Sequence, residues 1–455
     1  MLTVMKFGGS IIASTKELKQ IAEILKKRRK KEQVLIVASA VQGITDSIIN
    51  GCNDSMKNTA TIKDFIEKTR KRHIELLAEI KNDEIRKKIS KKIDSKLEQL
   101  EKALYGISFL KELSEKSCAL IYPMGEQLSV LLLEAYLNDN GVNAIAFDAD
   151  EAGIVTNNCY SEAIPIMEKT RENLGKKIKP LLTGTVPVIT GYFAADSEGN
   201  KTCFGRGGSD FSAGIIANAL DANALELWKD VDGFMSADPK IVQNAKLIKD
   251  LSYEEAEELG YFGAKILHPK TIPPLREKNI PAIVKNIFKP DIEGTIISGK
   301  KNKVPGIIKS IATKKGLAAI TISSPEFVGH AGIIAKVFSP IAEAGISIDT
   351  VATSETTVSF TLAEKDLEKA KSATEKIPLR MEKISFETGL SLLGLVGEGL
   401  RSEYGITGKI FSCLAEEKIN DEIISQGSNE VNLSIIIQEK DLEKAVKAIH
   451  KKIME

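Results

Sequence analysis

Val4-Met5-Lys6-Phe7-Gly8-Gly9-Ser10 is a short apolar run that ends in two glycines, with a lysine two residues before the first of them. A helix signal follows at once. Ser14 with Glu17 three residues on reads as a capping box, and Leu18, Ile21, Ala22 and Leu25 keep the spacing of one helical face. The chain therefore opens as strand, glycine turn, helix. That geometry turns backbone N–H groups toward any anion held in the turn, and Lys6 adds a full positive charge. Taken alone, the same residues also fit an ordinary tight turn with a solvent-facing lysine.

Working outward, Gln33 to Ala40 is a second apolar run rich in Val and Ile, which makes β-α-β, the unit of a parallel sheet buried on both faces. It ends in Ser39 and Ala40, followed by Gly43-Ile44-Thr45-Asp46. In open α/β sheets ligands collect beyond the carboxyl ends of the strands, where these residues belong; Thr45 equally fits as the cap of the next helix. Residues from about 60 to 117 read as a charged helical excursion from the sheet, with His73 among the exposed charges and Lys and Glu forming a solvated face. It ends at Met124-Gly125-Glu126, a lone acid among apolar neighbours. Strands return at Asn143 to Phe147 and at Val186 to Thr190, the latter running into Gly191-Tyr192. The densest glycine cluster follows, Gly205-Arg206-Gly207-Gly208-Ser209-Asp210, feeding a small-residue helix. Glycines around an arginine at a helix start make an anion cradle, and the guanidinium clamps a carboxylate or phosphate in bidentate fashion. Leu225 to Trp228 is a further strand leading to Lys229-Asp230 and Phe234; Lys265 stands in an apolar helical stretch; Ile280 to Ile287 is the last buried strand. Neither G-x-G-x-x-G nor G-x-x-x-x-G-K-[ST] occurs, so no dinucleotide fingerprint or P-loop is signalled.

Composition narrows the class. Sixty-three basic against sixty-two acidic residues leave no global electrostatic case for nucleic acid or a membrane surface. The five cysteines are scattered with no C-x-x-C pair, which argues against a disulfide framework and a structural zinc site. The N-terminus lacks a signal-peptide pattern and no apolar run reaches spanning length, so a cytoplasmic protein of two to three domains is expected from 455 residues.

After Lys300-Lys301-Asn302-Lys303-Val304-Pro305 the texture changes. Two copies of a weak repeat follow, GIIAKVF at 332–338 and GITGKIF at 405–411, each closing in the same EKDLEKA segment, at 364–370 and 439–445. Two β-α-β-β-α modules of about 70 residues are implied, with no catalytic constellation of their own.

Together these stretches resemble the aspartate kinases, a branch of the amino-acid kinase family. The resemblance covers essentially the whole chain and rests on KFGGS at 6–10, SAVQGIT at 39–45, GEQLS at 125–129, GRGGSD at 205–210, WKDVDGFMSADP at 228–239 and FGAKILHP at 262–269, in order, with tandem ACT modules behind. It implies a mainly parallel open sheet sandwiched by helices over 1–303, then ferredoxin-like βαββαβ ACT domains over 304–386 and 387–455. It implies ATP-dependent phosphorylation of the L-aspartate side-chain carboxylate, with Mg²⁺ bridging the phosphates. Lys6 and Asp210 would be catalytic. Ser39, Ala40, Thr45, Glu126, Tyr192, Arg206 and Ser209 would hold the substrate; Lys6, Gly8, Gly9, Ser10, Lys229, Asp230, Phe234, Lys240 and Lys265 would hold the nucleotide. An inhibitory lysine or threonine would bind at Ile348, Asp349, Ser354, Glu355, Gln426 and Asn432, lysine being favoured, in a homodimer or higher homo-oligomer. No fused homoserine dehydrogenase is expected.

The chain departs from the family pattern at several points. Lys229 stands in place of the usual threonine of W-T-D, Phe234 in place of a frequent tyrosine, Lys240 of an arginine, Cys203 of a threonine, and Ala194 of the second glycine of G-F-I-G. Two alternatives stay open on this evidence: a carboxylate kinase for another amino acid such as glutamate, and a catalytically silent ACT-based sensor.

Overall fold

The computed structural model of the chain describes residues 1–262, 266–299, 308–427 and 431–454. They divide into two compact units: Met1–Phe234, Lys249–Tyr253 and Ile266–Asn302 form the first, and Met235–Ile248, Glu254–Lys265 and Lys303–Glu455 the second. The division differs from a single cut near residue 303, because two segments of the N-terminal half fold with the C-terminal half.

The first unit is organised by β1 (Leu2–Phe7), β2 (Gln33–Ala38), β3 (Ala144–Phe147) and β4 (Val186–Thr190), then the hairpin β5 (Phe193–Ala195) and β6 (Lys201–Cys203), and by β7 (Ala224–Lys229), β8 (Asp250–Ser252), β9 (Ala282–Asn286) and β10 (Thr295–Ser298). Eight of these make one sheet, β3-β4-β2-β1-β7-β9-β10-β8, parallel at every step except β9 to β10. β9 is therefore not the last strand, as the sequence implied: β10 and β8 extend the sheet beyond it. β1 lies at its centre and every one of its residues is buried, as a strand covered on both faces must be. Lys6 sits opposite Val37 on one side and Leu227 on the other.

Helices cover the sheet. Thr15–Arg28 starts at Ser14, but the expected capping box is incomplete: the Ser14 hydroxyl donates to Glu17 rather than accepting from the backbone. Met124–Asp139 is buried from Met124 to Leu137, which is why its sequence reads as apolar on all sides. The excursion consists of helices Thr61–Leu77, Asp83–Leu110 and Glu115–Ile121. Asn82 caps the long one by accepting from the Glu84 and Ile85 amides, and Ile89, Ile93, Leu97, Leu100 and Leu104 form its buried stripe. Removing one such leucine costs about 2–5 kcal/mol. His73 corrects the reading given above. It is wholly buried, with Nδ1 2.8 Å from the Thr69 carbonyl, because it shares a helical face with Ile62, Thr69 and Leu76.

The second unit contains β11 (Ser310–Ser323), β12 (Ile348–Thr353), β13 (Thr357–Ala363), β14 (Lys383–Val396), β15 (Ile423–Ser425) and β16 (Asn432–Gln438), in one sheet ordered β12-β13-β11-β14-β16-β15. β11 and β14 are long and shared. Residues 317–323 of β11 pair with β13 and with the first half of β14, while 310–314 pair with 392–396 of β14, whose second half also pairs with β16. The two repeat copies are thus interleaved through common strands, and β14 runs straight across position 386/387. Helices Ile333–Glu343 and Leu367–Thr374 cover one half of the sheet; Ile406–Glu416 and Leu442–Ile449 cover the other.

Candidate active site

The turns at the carboxyl ends of β1, β2, β4 and β7 are held backbone against backbone. A Cβ on Gly9 would lie 2.7 Å from the Ala40 carbonyl oxygen, one on Gly125 2.8 Å from the Ala40 side chain, and one on Gly191 2.7 Å from Ser209. No larger residue fits at these approaches. The Gly191 amide donates to the Ala38 carbonyl at 2.9 Å, and the Ser129 hydroxyl to the Ser39 carbonyl at 2.6 Å. This packing draws Lys6, Ser39, Ala40, Glu126, Tyr192, Ser209 and Asp210 to one place from six separate stretches of sequence.

At its centre Lys6 and Asp210 form an ion pair whose side chains are 5% and 9% exposed, and Lys229 Nζ stands 3.5 Å from the other Asp210 oxygen. Asp210 lies in the first turn of helix Gly208–Ala219, which starts from Gly207 in the left-handed region (φ 73°). Burial alone would raise the Asp210 carboxyl, but the fields of Lys229 and Lys6 hold it down to about 2. Burial lowers Lys6 to about 8, with Asp210 opposing and the Lys229 charge adding to the effect. Glu126, 4% exposed, is the counterpoise. Burial pushes its carboxyl up to about 8 although the Ala40 backbone donates to it, and its Oε2 has no hydrogen-bond partner among the described residues. A cation placed there would be welcomed.

Around this core the other expected residues fall differently. Gly8 is buried, with its missing side chain facing Lys6 Nζ at 3.8 Å; Ser10 is half-buried at the start of the short turn Gly9–Ile11. Thr45 is half-buried inside helix Ile44–Lys57, whose cap is Gly43, so it does not cap. Tyr192 adopts φ 75°, an uncommon conformation for a bulky side chain, and its amide donates to the Ser212 hydroxyl at 3.0 Å. Arg206 projects into solvent from the glycine loop, and Asp230 is exposed at the end of β7. Phe234 is 1% exposed, its ring closed into the core and its amide donating to Thr295. Lys240 is exposed on a turn of the second unit. Lys265 lies outside the described residues.

Sequence reasoning gave His268 no part in the loop. A Cβ on Gly207 would run into its ring; its Nδ1 accepts from the Lys270 amide at 3.3 Å, and Lys270 pairs with Glu162. Burial, then Lys270, keeps the ring's pKa below its ordinary value. The neutral imidazole thus braces the cradle from below. Only the small size demanded at Gly207 could have hinted at it. Among the described residues no group of three or more His, Cys, Asp or Glu side chains converges to hold a metal, and no helix is long and apolar enough to cross a membrane.

In the second unit Asp349, its side chain 8% exposed, is paired with Lys314 at 2.5 Å. The Tyr261 hydroxyl donates to the Asp349 and Ile348 carbonyls at 3.1 and 3.3 Å. Ser354 and Glu355 are exposed at the β12–β13 turn, Gln426 is exposed after β15, and Asn432 donates to Glu258. The outer strands β12 and β15 approach within 8 Å between Cα atoms, which draws these two groups together. Lys314, Tyr261 and Glu258 were not singled out from the sequence. Positions 428–430 lie outside the described residues.

An amino-acid kinase family model matches residues 1–286, and an ACT-domain model matches 320–376 and 393–453. Aspartokinase 1, chloroplastic, of Arabidopsis thaliana is 34% identical, the match covering 99% of this chain and 80% of that one. The aspartokinase of Saccharomyces cerevisiae is 31% identical over 99% and 92%. The structure of E. coli aspartokinase III with aspartate and ADP, termed R-state, superposes with a TM-score of 0.85 at 26% identity over the whole of both chains; Clostridium acetobutylicum aspartate kinase gives 0.80 at 30%, over 99% and 100%. A kinase match over the first half, an ACT match over the second, and aspartokinases alike along the full length leave one assignment: the chain belongs to the aspartokinases of the amino-acid kinase family.

Proposed function

We propose that this chain is a feedback-regulated aspartate kinase, transferring the γ-phosphoryl group of ATP to the side-chain carboxylate of L-aspartate and giving 4-phospho-L-aspartate, the first step toward lysine, threonine and methionine. The observation that carries it is the buried Lys6–Asp210–Lys229 cluster set beside the unpartnered Glu126 carboxyl. Phosphoryl transfer asks for positioning and neutralisation of charge rather than covalent help. The nucleophile is a carboxylate, ionised far below pH 7, so no general base is required. Glu126 receives the α-ammonium of aspartate and Arg206 its α-carboxylate, with Ser39, Ala40, Thr45, Tyr192 and Ser209 lining the pocket. Gly8, Gly9, Ser10, Asp230, Phe234, Lys240 and Lys265 serve the nucleotide. Asp210 holds the lysines in line. Mg²⁺ enters with the nucleotide and supplies charge neutralisation on the phosphates; the donor set suits this, since Asp210 is committed to two lysines and the ion keeps most of its waters.

The kinase domain is assigned to 1–303 and the ACT pair to 304–386 and 387–455, with the strands shared as described. The effector is an end-product amino acid, lysine ahead of threonine. E. coli aspartokinase III has been solved with lysine and aspartate in a T-state, with a TM-score of 0.84 to this chain. It would bind at Ile348, Asp349, Ser354, Glu355, Gln426 and Asn432 in a homodimer or higher homo-oligomer. A cytoplasmic location agrees with five free cysteines.

The test is an ATP-dependent hydroxamate assay over aspartate, glutamate and other acidic amino acids, repeated with lysine, threonine or both. Product from aspartate, suppressed by an effector, is expected. Product from glutamate alone would move the substrate, and none from any acid would leave only a sensor.

A further inference from the structure

Asp210 is shared by two cations that come from neighbouring strands. On β1 Lys6 is level with Leu227 of β7, and Lys229 is two residues further along β7. Strand side chains repeat every two residues, so both lysines emerge on one face of the sheet. Lys229 stands one step, about 6–7 Å, nearer the carboxyl edge, level with the glycine turn that follows Phe7. The three side chains are 5%, 13% and 9% exposed for Lys6, Lys229 and Asp210. One carboxylate against two ammonium groups leaves a net positive charge in a nearly water-free recess, beside the start of the twelve-residue helix Gly208–Ala219. Glu126 does not cancel it, since burial keeps that carboxyl largely protonated at neutral pH. A buried charge without a partner is costly. The recess is therefore shaped for an anion that arrives with the substrates.

We propose that Lys229 is a catalytic residue that touches the transferring γ-phosphoryl group, a second cation beside Lys6. This rests on the aspartate kinase reading and deepens it, moving Lys229 from general nucleotide binding to the reacting atoms. In the step, an aspartate carboxylate oxygen forms a bond to the γ-phosphorus as the bond to the β-bridging oxygen breaks. The electron pair leaves with ADP. Lys229 stays protonated throughout and follows the charge that spreads over the phosphoryl oxygens.

The experiment compares wild type with Lys229→Met, Lys229→Thr and Lys229→Arg, using steady-state kinetics and calorimetric titration of MgATP and MgADP without aspartate. In Lys229→Met and Lys229→Thr, kcat is expected to fall roughly 100-fold with KM for aspartate nearly unchanged. MgATP affinity should fall about tenfold more than MgADP affinity, and Lys229→Arg should recover part of both losses. Equal weakening of ATP and ADP at unchanged kcat would overturn the proposal, as would unchanged affinity for both, which would make Lys229 a counter-ion to Asp210 only. Should the neutral variants fail to fold, Lys229→Arg decides through the ATP-to-ADP ratio: a ratio identical to wild type, with full kcat, sinks the idea. If wild type phosphorylates no aspartate, the function fails separately, while the ATP-against-ADP comparison still judges Lys229.

Discussion

At the scale of single residues the site depends on charges kept out of water. Lys6→Ala should reduce kcat by about 100- to 1000-fold while leaving thermal unfolding close to wild type, read by parallel activity and melting measurements. Glu126 gives a sharper test, because its resting carboxyl is raised to about 8 by burial. Below that value it is mostly protonated, and the arriving α-ammonium favours the ionised form. Aspartate binding at pH 7 should therefore release close to one proton, and aspartate affinity should improve as pH rises from 6 toward 8. Titration calorimetry in two buffers of different ionisation enthalpy reads the proton directly. Glu126→Gln should abolish the release and weaken aspartate on the order of 100-fold. Much of this was legible in the sequence: Lys6 before paired glycines, and Arg206 and Asp210 in a glycine loop, are residue types whose chemistry shows without coordinates. The pairing of Lys229 with Asp210 was not, since it depends on the parallel register of β1 and β7, which no local pattern encodes.

At the scale of elements, strand and helix patterns translated well where one face is buried, and failed where a polar residue faces inward. His73 shows why. Its neighbours Lys71, Arg72 and Glu75 dominate the local composition, yet its position falls on the buried face with Thr69 and Leu76. Counting charges hid what counting periods would have shown. The consequence is measurable. Burial holds the ring's pKa at about 4, below the ordinary value near 6.5. As pH falls below 6.5 the unfolded chain binds a proton that the folded chain does not, so stability declines from there down to about pH 4. The full loss is about 3 kcal/mol. Denaturant midpoints recorded between pH 7 and 5 should fall in wild type and stay flatter in His73→Leu; equal slopes would remove His73 from the acid response.

At the scale of the whole molecule, helix Tyr253–Tyr261 joins the two functions. Glu255 accepts from Lys309 at 2.7 Å and from the Glu398 amide at 3.0 Å, Glu258 from Asn432, and Tyr261 bonds the β12 backbone at the expected effector site; four residues further along the chain is Lys265. Tyr261→Phe should raise the concentration of effector giving half-inhibition by about 2- to 10-fold, the worth of a hydrogen bond, with uninhibited kcat within twofold. Unaltered inhibition would break that link. The sequence announced the change of texture near residue 303 but not that residues 235–248 and 254–262 fold with what lies beyond it, because a sequence boundary marks composition and not contact. That entanglement bears on inheritance. A control region strung on as a separate bead is gained, lost or traded by joining genes at one seam. Here such a seam would strand the wholly buried Glu255 without its lysine, a loss of about 3–5 kcal/mol. Kinase and sensor must then have descended as one indivisible piece, and a transplant of either half must carry the borrowed helix along with it.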